Sequence, residues 1–387
     1  MAGLDQAVVV GVGRTKFTRA SGRTVLAMAA EAVRDALSDA GLSPSDVDGM
    51  TSYQAMDSAS NGQVAGALGI DDLAWNVDIM GGGNAVVTCV SEAARAVSTG
   101  ACKTAVVFRS MNGRSGRRFG TATGGGGGGP MVVHGEGQFG GPVGYLVPPQ
   151  WMAMWAKRHQ HVYGSTCEDL GAIAVTQRSH AVVNPHAIAR DPITIDDYLA
   201  GRWVNEPLRV YDCAYEVDGA VALVLTTPER AADLPGTPVR ILASADSTGS
   251  GGSWDQWPDP TQMFSAKVAP RLWGPSGVGP ADVDVACIYD CFTYTVMAVL
   301  EDMGLCDKGG VGDFFRDGRA THDGDVVVNP HGGLLSEGYL HGLNHHVEAV
   351  TQLRGLAGER QVSNAELALV TAGAGPYGGA MVYARGA

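Results

Sequence analysis

Two distant segments of the chain share one frame, and this repeat constrains the fold more than any other feature. The segments are GLSPSDVDGM at 41–50 and GVGPADVDVA at 277–286, and both read G-x-x-P-x-D-V-D. Each precedes a strand-like apolar run and then a turn that carries glycine or cysteine. Strands alternate with helical patterns around both copies. The repeat predicts a duplicated α/β fold, with an N-terminal half at 1–238 that includes a loop region at 110–215, and a C-terminal half at 239–387.

The composition argues against several classes of protein. The 387 residues carry a net charge of −13, which argues against nucleic acid as a partner. Hydrophobic residues make up 45% and charged residues 17%, so the chain can bury a large core. No apolar run reaches the length of about 18 residues that a membrane span needs. The seven cysteines form no CxxC pair and follow no signal peptide, which predicts a reduced, cytoplasmic protein.

A glycine-rich turn joins a strand to a helix within residues 76–95. The sequence NVDIMGGGNAVVTCVSEAAR predicts a strand, then the turn, then the helix. Gly81 and Gly82 would let backbone N–H groups at the helix N-terminus approach the oxygen of a ligand. Cys89 lies further along the helix and is predicted to be a buried core residue. The turn is therefore a candidate oxyanion site.

A second glycine-rich segment, VVVNPHGGLLSEGYLHG at 326–342, follows another predicted strand. Glycines at such a turn let the backbone approach a ligand, so the loop that carries His331 and Tyr339 is a second candidate site. His341 and His345 are four residues apart and could share a helix face. However, HGLNH lacks the glutamate of HExxH, and no third ligand is evident. We therefore predict no metal site.

Four stretches of the chain carry related motifs in a fixed order. They are YGSTCEDLGAIAV and its continuation at 163–226, YDCFTY at 289–294, NPHGG…GYLHG within 326–342, and TAGAG at 371–375. The last three are similar to HDCFxxNE, NPxGG…GHPxGAxG and CxGGG. Together these stretches resemble the thiolase superfamily, and within it the lipid-transfer-protein (SCP2-like) thiolases. The resemblance implies the five-layered α/β/α/β/α thiolase fold, with two similar halves, and a homodimer.

The same resemblance implies that thiolase chemistry has been altered. The histidine of the GHP motif is Tyr339 here, and Tyr294 lies at or next to the asparagine of HDCFxxNE. The acid–base cysteine of the CxGGG turn is replaced by Ala372 or Gly373, and the 80–83 turn lacks the nucleophilic cysteine. Claisen condensation and thiolysis need a covalent acyl-cysteine, so ordinary thiolase activity should be absent.

The sequence is similar to the thiolase-like aldolases of steroid side-chain degradation, which have this pattern. That similarity implies a retro-aldolase that cleaves a β-hydroxyacyl-CoA to a ketone and propionyl-CoA. The CoA thioester is the substrate, and no cofactor is expected. A phenol can move a proton when a pocket tunes its pKa. Tyr339 is therefore the predicted base and Tyr294 the predicted acid.

Other residues are predicted to bind the thioester, to stabilise its enolate oxygen or to orient a tyrosine. They are His331, His341, Asp290, Gly81, Gly82, Gly332 and Gly373. Arg114, Arg117 and Arg118 either contact phosphates of the ligand or form a solvated basic patch. The six glycines at 124–129 form either a mobile loop over a bulky ligand or a flexible linker.

The resemblance also implies a partner protein. Related aldolases work with a small OB-fold protein that carries a zinc ribbon, of the DUF35 type, in an assembly of two of each chain. This chain has no CxxC pair and cannot supply that ribbon itself. Two alternative functions stay open at this point: a non-catalytic acyl-CoA- or lipid-binding protein, and an acyltransferase that uses another nucleophile such as Cys291.

Overall fold

The computed structural model describes residues 4–116, 118, 137–249, 254 and 257–386. Arg117 and the glycines at 124–129 lie outside these residues, so what was expected of them stays a prediction. Within the described ranges, no helix is both long and apolar enough to cross a membrane.

The N-terminal half begins with a nearly continuous apolar strand and a capped helix. The first strand buries Val8, Val9 and Val10, as expected for a sheet covered on both faces. The first helix starts after Thr24, whose side chain accepts the backbone N–H of Ala27. The elements of this half are β1 (Val8–Arg14), α1 (Val25–Asp39), β2 (Gly49–Gln54), α2 (Asn61–Leu68), β3 (Trp75–Met80), α3 (Val86–Ser98), β4 (Thr104–Asn112), α4 (Gly137–Gly140), α5 (Pro148–Tyr163), α6 (Cys167–Val182), α7 (Ile195–Ala200), β5 (Trp203–Asn205), β6 (Leu208–Arg209), β7 (Asp218–Thr226) and α8 (Pro228–Ala231).

The C-terminal half repeats the strands of the sheet and the helices that pack on them, with shorter connections. Its elements are β8 (Val239–Thr248), α9 (Ser265–Ser276), β9 (Val285–Cys287), α10 (Thr293–Asp302), α11 (Val311–Arg316), β10 (Val327–Val328), α12 (Gly333–Ser336), α13 (Leu343–Leu353), β11 (Leu367–Ala374) and β12 (Tyr377–Arg385). The exact division after residue 238 stays a prediction about domain boundaries.

The sheet is made of two similar parts. Its order is β3-β2-β4-β7-β1 in one part and β10-β9-β11-β12-β8 in the other. In each part the first three strands are parallel and the last two are antiparallel to their neighbours. The parts join at β1 and β8 through two residue pairs, Val8 with Arg240 and Val9 with Val239. The duplicated α/β fold predicted from the repeated frame is confirmed.

The two copies of the repeated frame have the same structural role. Asp46 and Asp282 each accept a hydrogen bond from the backbone N–H three residues earlier, which closes a turn before β2 or β9. Asp48 and Asp284 accept backbone N–H groups at the start of β4 and β11, respectively. The shared spacing of the frame therefore reflects two aspartates in each half, one that closes the turn before a strand and one that binds the backbone at the start of a neighbouring strand.

Three apolar cores separate five layers. One core lies between α1, α2 and the N-terminal part of the sheet, and a second contains α3 and α13 between the two parts. The third lies between the C-terminal part and α9 and α10, and includes residues of α5 and α6. This order of helices, sheet, helices, sheet and helices is the α/β/α/β/α arrangement of the prediction. The loops after β3, β9 and β10, which carry Gly81, Asp290 and His331, leave the carboxyl ends of parallel strands.

Candidate active site

Two tyrosine side chains meet near the carboxyl end of β9. Tyr289 follows this strand by two residues, and Tyr339 lies on the loop between α12 and α13. Their hydroxyl oxygens are 3.0 Å apart, and their rings meet edge to face with centroids 6.3 Å apart. The backbone N–H of Tyr339 donates to the carbonyl of Tyr215 at 2.9 Å, which fixes the loop. Tyr289 is buried, whereas Tyr339 is partly exposed.

The hydroxyl of Tyr289 occupies space beside the glycine turn before α3. A Cβ atom placed on Gly83 would lie 2.0 Å from this hydroxyl oxygen, so no side chain fits at position 83. The ring also packs against Gly342, where a Cβ atom would lie 3.0 Å from two ring carbons. The phenol therefore stands at the N-terminal end of α3, at the turn where the thiolase resemblance predicts a missing nucleophile.

Burial keeps both phenols protonated. It raises the pKa of Tyr289 well above the ordinary value, and the neighbouring Tyr339 adds to that rise. Burial also raises the pKa of Tyr339, although the hydrogen bond from Tyr289 and the charge of Arg109 act in the opposite direction. At neutral pH the pair is therefore two neutral hydroxyl groups joined by a hydrogen bond.

A buried arginine connects the Tyr339 loop to the N-terminal half. Arg109 of β4 is fully buried, and one of its terminal nitrogens, Nη2, lies 2.5 Å from Oδ2 of Asp57 and 2.9 Å from Nδ1 of His341. The His341 ring meets the Tyr339 ring edge to face at 4.9 Å. Burial and the Arg109 charge both lower the pKa of His341 far below its ordinary value. The imidazole is therefore neutral at physiological pH.

The backbone of His341 is held in an uncommon conformation. Its φ angle is +55°, in the left-handed region that histidine adopts only rarely. The hydroxyl of Tyr53 donates to the His341 carbonyl at 3.0 Å. A Cβ atom built on Gly82 would lie 3.5 Å from Cε1 of the imidazole, so the ring lies beside the glycine turn. The fold thus holds His341 between Tyr339 and that turn.

A second group of buried polar residues lies behind Tyr289. The carboxylate of Asp290 accepts the backbone N–H groups of Leu334 and Leu335 at 2.8 and 3.1 Å, and lies 3.2 Å from Nε2 of His345. Nδ1 of His345 is 3.0 Å from Nε2 of His331. Asp290 and both histidines are therefore positioned to support the loops that carry the phenols.

Three buried side chains behind Tyr289 have possible ligand atoms close enough to one another to hold a metal ion. The donor atoms of Cys287, His331 and His345 lie within 4.8 Å of one another. However, the His331–His345 hydrogen bond already uses the nitrogen of each ring that faces the other. Burial also raises the pKa of the Cys287 thiol well above normal, which disfavours the thiolate that a metal needs. The geometry gives no reason to propose a metal, and its absence stays a prediction.

Relatives of known activity cover nearly the whole chain. The Thiolase C-terminal domain-like family model matches residues 248–384. The 17-hydroxy-3-oxo-4-pregnene-20-carboxyl-CoA lyase of Mycobacterium tuberculosis is 42% identical over 389 residues, with 96% of this chain and 97% of the relative covered. The steroid side-chain-cleaving aldolase of Thermomonospora curvata is 40% identical over 382 residues, with 95% of each chain covered. The chain belongs to the thiolase-like steroid side-chain-cleaving aldolases.

A solved structure agrees with this membership. The Ltp2-ChsH2(DUF35) aldolase has a TM-score of 0.90 and 36% sequence identity, with 98% of each chain covered. The thiolase fold and the predicted membership of this branch are therefore confirmed. The chain is a carbon–carbon lyase of the aldolase type, which removes the two alternative functions of the sequence analysis.

The structure of the present chain does not bring the two predicted catalytic tyrosines together. Tyr294 lies on α10 in the outer core, where its hydroxyl donates to the carbonyl of Pro260 at 2.6 Å and its ring meets His159. Tyr339 packs on the central core instead. The expected pairing of Tyr294 with Tyr339 is wrong, because the helix after Phe292 turns Tyr294 away from the site. Tyr289 is the phenol beside Tyr339.

Several predicted oxyanion donors of the aldolase already have partners in its own backbone. The N–H of Gly81 donates to the backbone carbonyl of Gln54 at 2.9 Å, and the N–H of Gly332 donates to the backbone carbonyl of Asn329 at 2.8 Å. The N–H of Gly82 donates to the side chain of Asn84 at 3.1 Å. The remaining glycine, Gly373, is paired with Gly378 in the β11–β12 ladder. The Gly81 and Gly332 assignments as oxyanion donors are therefore not supported by the geometry.

Sequence reasoning missed four residues of this site: Tyr289, Gly83, Arg109 and Asp57. Tyr289 had a usable signal, because it directly follows a predicted parallel strand, where ligand-binding residues concentrate. The Arg109–His341 contact joins residues 232 positions apart, and no local pattern indicates it. In the loop after β4, Arg118 pairs with Glu216 at 2.5 Å, and phosphate contact by Arg114 or Arg118 stays a prediction.

Proposed function

We propose that this aldolase cleaves the side chain of a steroid CoA thioester that carries a tertiary hydroxyl β to the thioester carbonyl. The observation that carries the proposal is the phenol pair, 3.0 Å apart, beside a turn that has no nucleophile. The names of both relatives point to the same substrate class. With 17-hydroxy-3-oxo-4-pregnene-20-carboxyl-CoA, cleavage of the C17–C20 bond would release a 17-ketosteroid and propionyl-CoA.

The proposed reaction moves one proton from the substrate hydroxyl to the α-carbon of the thioester. Tyr339, the more exposed phenol, accepts the hydroxyl proton while it passes its own proton to Tyr289. The bond between the carbinol carbon and the α-carbon breaks, and its electron pair moves into the thioester as an enolate. In the same step Tyr289 gives its own proton to the α-carbon as it accepts the one from Tyr339, so neither phenol oxygen ever holds two protons. After one turnover both phenols are protonated again, so the relay needs no phenolate in the resting enzyme.

No cysteine takes part in this scheme. Burial raises the pKa of the Cys89 thiol to about 12 and that of Cys291 to about 12, so neither is an activated nucleophile. Cys89 is fully buried, and its Sγ atom lies at hydrogen-bond distance, 3.3 Å, from Oγ1 of Thr51. No cofactor is needed either, because the thioester carbonyl itself accepts the electron pair of the broken bond.

We further propose a cytoplasmic homodimer with a separate OB-fold partner of the DUF35 type. The similar solved aldolase is named as Ltp2 with ChsH2(DUF35), which supports such a partner here. The edge strand β3 exposes apolar side chains at Val77 and Met80, 36% and 71% exposed. An apolar edge of this kind favours pairing with a second copy about a twofold axis.

Cleavage of the named steroid thioester by the purified chain, with and without a DUF35-type partner, tests the proposal. Mass spectrometry should detect the 17-ketosteroid and propionyl-CoA in equal amounts. Cys291→Ala is the control, and it should cleave at the wild-type rate. Release of free CoA without a ketone, or loss of activity in Cys291→Ala, would overturn the proposal in favour of acyl transfer. Sedimentation of the chain alone would test the dimer, and a monomer at micromolar concentration would contradict it.

A further inference from the structure

A serine, a histidine and a glutamate form a chain of hydrogen bonds at the C-terminal end of α5. Oγ of Ser165 lies 2.8 Å from Nδ1 of His159, and Nε2 of His159 lies 3.0 Å from Oε2 of Glu301. The imidazole ring meets the ring of Tyr294, which belongs to the outer core, whereas Tyr339 packs on the central core. The aldolase reaction proposed above gives these three residues no role.

The end of α5 brings the serine to the histidine. Gly164 follows the helix with a φ angle of +75°, the left-handed conformation that glycine adopts readily, and ends it there. The chain turns back, and Ser165 meets the side chain of His159 six residues earlier. Thr166 then caps α6 by accepting the backbone N–H of Asp169. The serine is thereby held on a partly exposed turn, whereas the imidazole is fully buried.

We propose that Ser165 is a nucleophile that hydrolyses small carboxylic esters, with His159 as its general base. Glu301 is a positioning residue that acts through the imidazole. The order of the groups, from hydroxyl to imidazole to carboxylate, is that of the triad that serine hydrolases carry on unrelated folds. Val162 and Tyr163, 44% and 39% exposed, offer an apolar surface beside the turn, which suits an ester with an apolar group. This activity goes beyond the aldolase reaction and is independent of it.

The carboxylate determines which nitrogen of His159 carries the proton. Lys308 lies 3.0 Å from Oε2 of Glu301, and the backbone N–H of Gly309 donates to Oε1 at 2.9 Å, so both oxygens serve as acceptors. Since a carboxylate has only acceptors, Nε2 of His159 must donate to it. Nδ1 of the neutral imidazole then presents its lone pair to the hydroxyl of Ser165. This is the tautomer that a general base for the serine needs.

The proposed hydrolysis forms and then breaks an acyl-serine. Oγ of Ser165 attacks the ester carbonyl carbon while its proton moves to Nδ1 of His159. The tetrahedral oxyanion collapses, the C–O bond of the ester breaks, and the imidazole gives the proton to the leaving alcohol. Water, deprotonated by the same nitrogen, then releases the carboxylic acid and restores the hydroxyl. Cys167 and Glu168 begin α6, so their backbone N–H groups have no partner within the helix and can stabilise the oxyanion.

Covalent labelling tests the nucleophile directly. The full chain would be treated with phenylmethylsulfonyl fluoride, which sulfonylates activated serines, and the labelled peptide identified by mass spectrometry. Ser165 should be labelled, and His159→Gln should slow the labelling by about 10²-fold or more, as expected for loss of a general base. Ser60 is the matched control: it also lies at a helix start, but its Oγ bonds Gln63 in place of a histidine, so it should stay unlabelled. Absence of label on Ser165, or equal labelling in His159→Gln, overturns the proposal.

Ester turnover is the second readout. Ser165→Ala should lose most of the hydrolysis of p-nitrophenyl acetate, but it should cleave the steroid thioester at the wild-type rate, because the serine lies outside the phenol site. Equal ester hydrolysis by wild type and a folded Ser165→Ala chain overturns the proposal and leaves the aldolase function intact.

A double-variant cycle tests the positioning role of Glu301. Glu301→Gln should lower ester hydrolysis on the order of tenfold. Combined with His159→Gln, it should cause no further loss, because Glu301 acts only through the imidazole. A purely structural role would add its own loss to that of His159→Gln, and losses that multiply therefore overturn the assignment of Glu301.

Discussion

The hydroxyl oxygens of Tyr289 and Tyr339 lie 3.0 Å apart, although the residues are fifty positions apart in the chain. Each phenol is the hydrogen-bond partner of the other, so a proton gained by one can leave through its neighbour. This geometry suits a reaction that removes a proton from one substrate atom and returns it to another.

Removing either hydroxyl of the pair should abolish most of the activity. Tyr289→Phe and Tyr339→Phe each delete one oxygen and keep the ring, so stability should change by no more than about 1–2 kcal/mol. Turnover should fall by about 10²–10⁴-fold, the usual contribution of a positioned acid or base. Tyr294→Phe is the matched control: it loses its bond to Pro260 and should cleave the steroid thioester at nearly the wild-type rate. Loss of activity in Tyr294→Phe and Tyr339→Phe, with activity kept in Tyr289→Phe, would instead show that Tyr294 is the catalytic partner of Tyr339.

A single methyl group at position 83 should inactivate the aldolase. The Cβ atom of Gly83→Ala would lie 2.0 Å from the Tyr289 hydroxyl oxygen, so the phenol must move away from Tyr339. Turnover should fall as in Tyr289→Phe, and overpacking should cost about 1–3 kcal/mol in urea unfolding. Gly66→Ala, on the exposed side of α2 with no atom within 4 Å of the new Cβ, is the control. It should leave activity unchanged, and equal activity of both variants would contradict the assignment of Tyr289.

A buried ion pair should contribute strongly to stability near the Tyr339 loop. Nη2 of Arg14 lies 2.6 Å from Oε1 of Glu337, whose side chain is 1% exposed. The other carboxylate oxygen, Oε2, accepts a hydrogen bond from Nδ2 of Asn344 at 2.8 Å. Burial alone would raise the pKa of Glu337, but Arg14, His331 and the hydrogen bonds outweigh it and lower the pKa to about 2. Arg14→Met would leave this carboxylate charged and unpaired, at a cost of about 3–5 kcal/mol.

An exposed ion pair provides the comparison for Arg14→Met. Arg23 and Glu31 pair with side chains 40% and 36% exposed. Arg23→Met should therefore cost less than about 1 kcal/mol in the same urea titration. Similar losses for both variants would show that the Glu337 carboxylate finds another partner when Arg14 is removed.

Stability should fall as the pH drops below about 6.5, the ordinary pKa of histidine. Burial, the largest cause in each case, lowers the pKa of His180 to about 4 and those of His331 and His346 to about 3. Between these values and 6.5 the unfolded chain binds more protons than the folded one, so acid favours unfolding. Asp212, whose pKa burial raises to about 6, acts in the opposite direction, as do Asp35, Asp246 and Asp302, whose pKa values burial also raises. His186 and His341, whose pKa values are lowered by desolvation to about 4 and about 3, add to the decline.

Thermal unfolding at pH 7.5, 6.0 and 5.0 would measure this effect. Each net proton changes the free energy of unfolding by about 1.4 kcal/mol per pH unit. His346→Gln removes one of the titrating groups and should give a shallower decline than wild type. A melting temperature that is constant from pH 7.5 to 5.0 would contradict neutral burial of these histidines. The stabilisation that comes from the charged Glu337 is fully present throughout this pH range. It is lost only as the pH falls below about 4.5 toward the folded pKa of about 2.

The fold could be predicted from the sequence because its signals are local. The frame aspartates at 46 and 48 and at 282 and 284 act within their own halves, so the repeat in the sequence reports a repeat in the structure. The site was harder to predict. Tyr289 and Tyr294 are five residues apart, and a motif match without the course of α10 selected the one that turns outward. The donors of Gly81 and Gly332 are consumed by backbone carbonyls that the sequence does not reveal.

The seven cysteines are all free, and burial is the main cause that raises the pKa of every one of them. An enzyme that depends on a thiolate is vulnerable to peroxide and to electrophiles, because the thiolate is the form that they attack. In the proposed mechanism this aldolase uses phenols instead, and burial favours the protonated form of each thiol at neutral pH. A cell that relies on it could therefore continue to shorten steroid side chains under oxidative stress that would silence a cysteine-dependent thiolase.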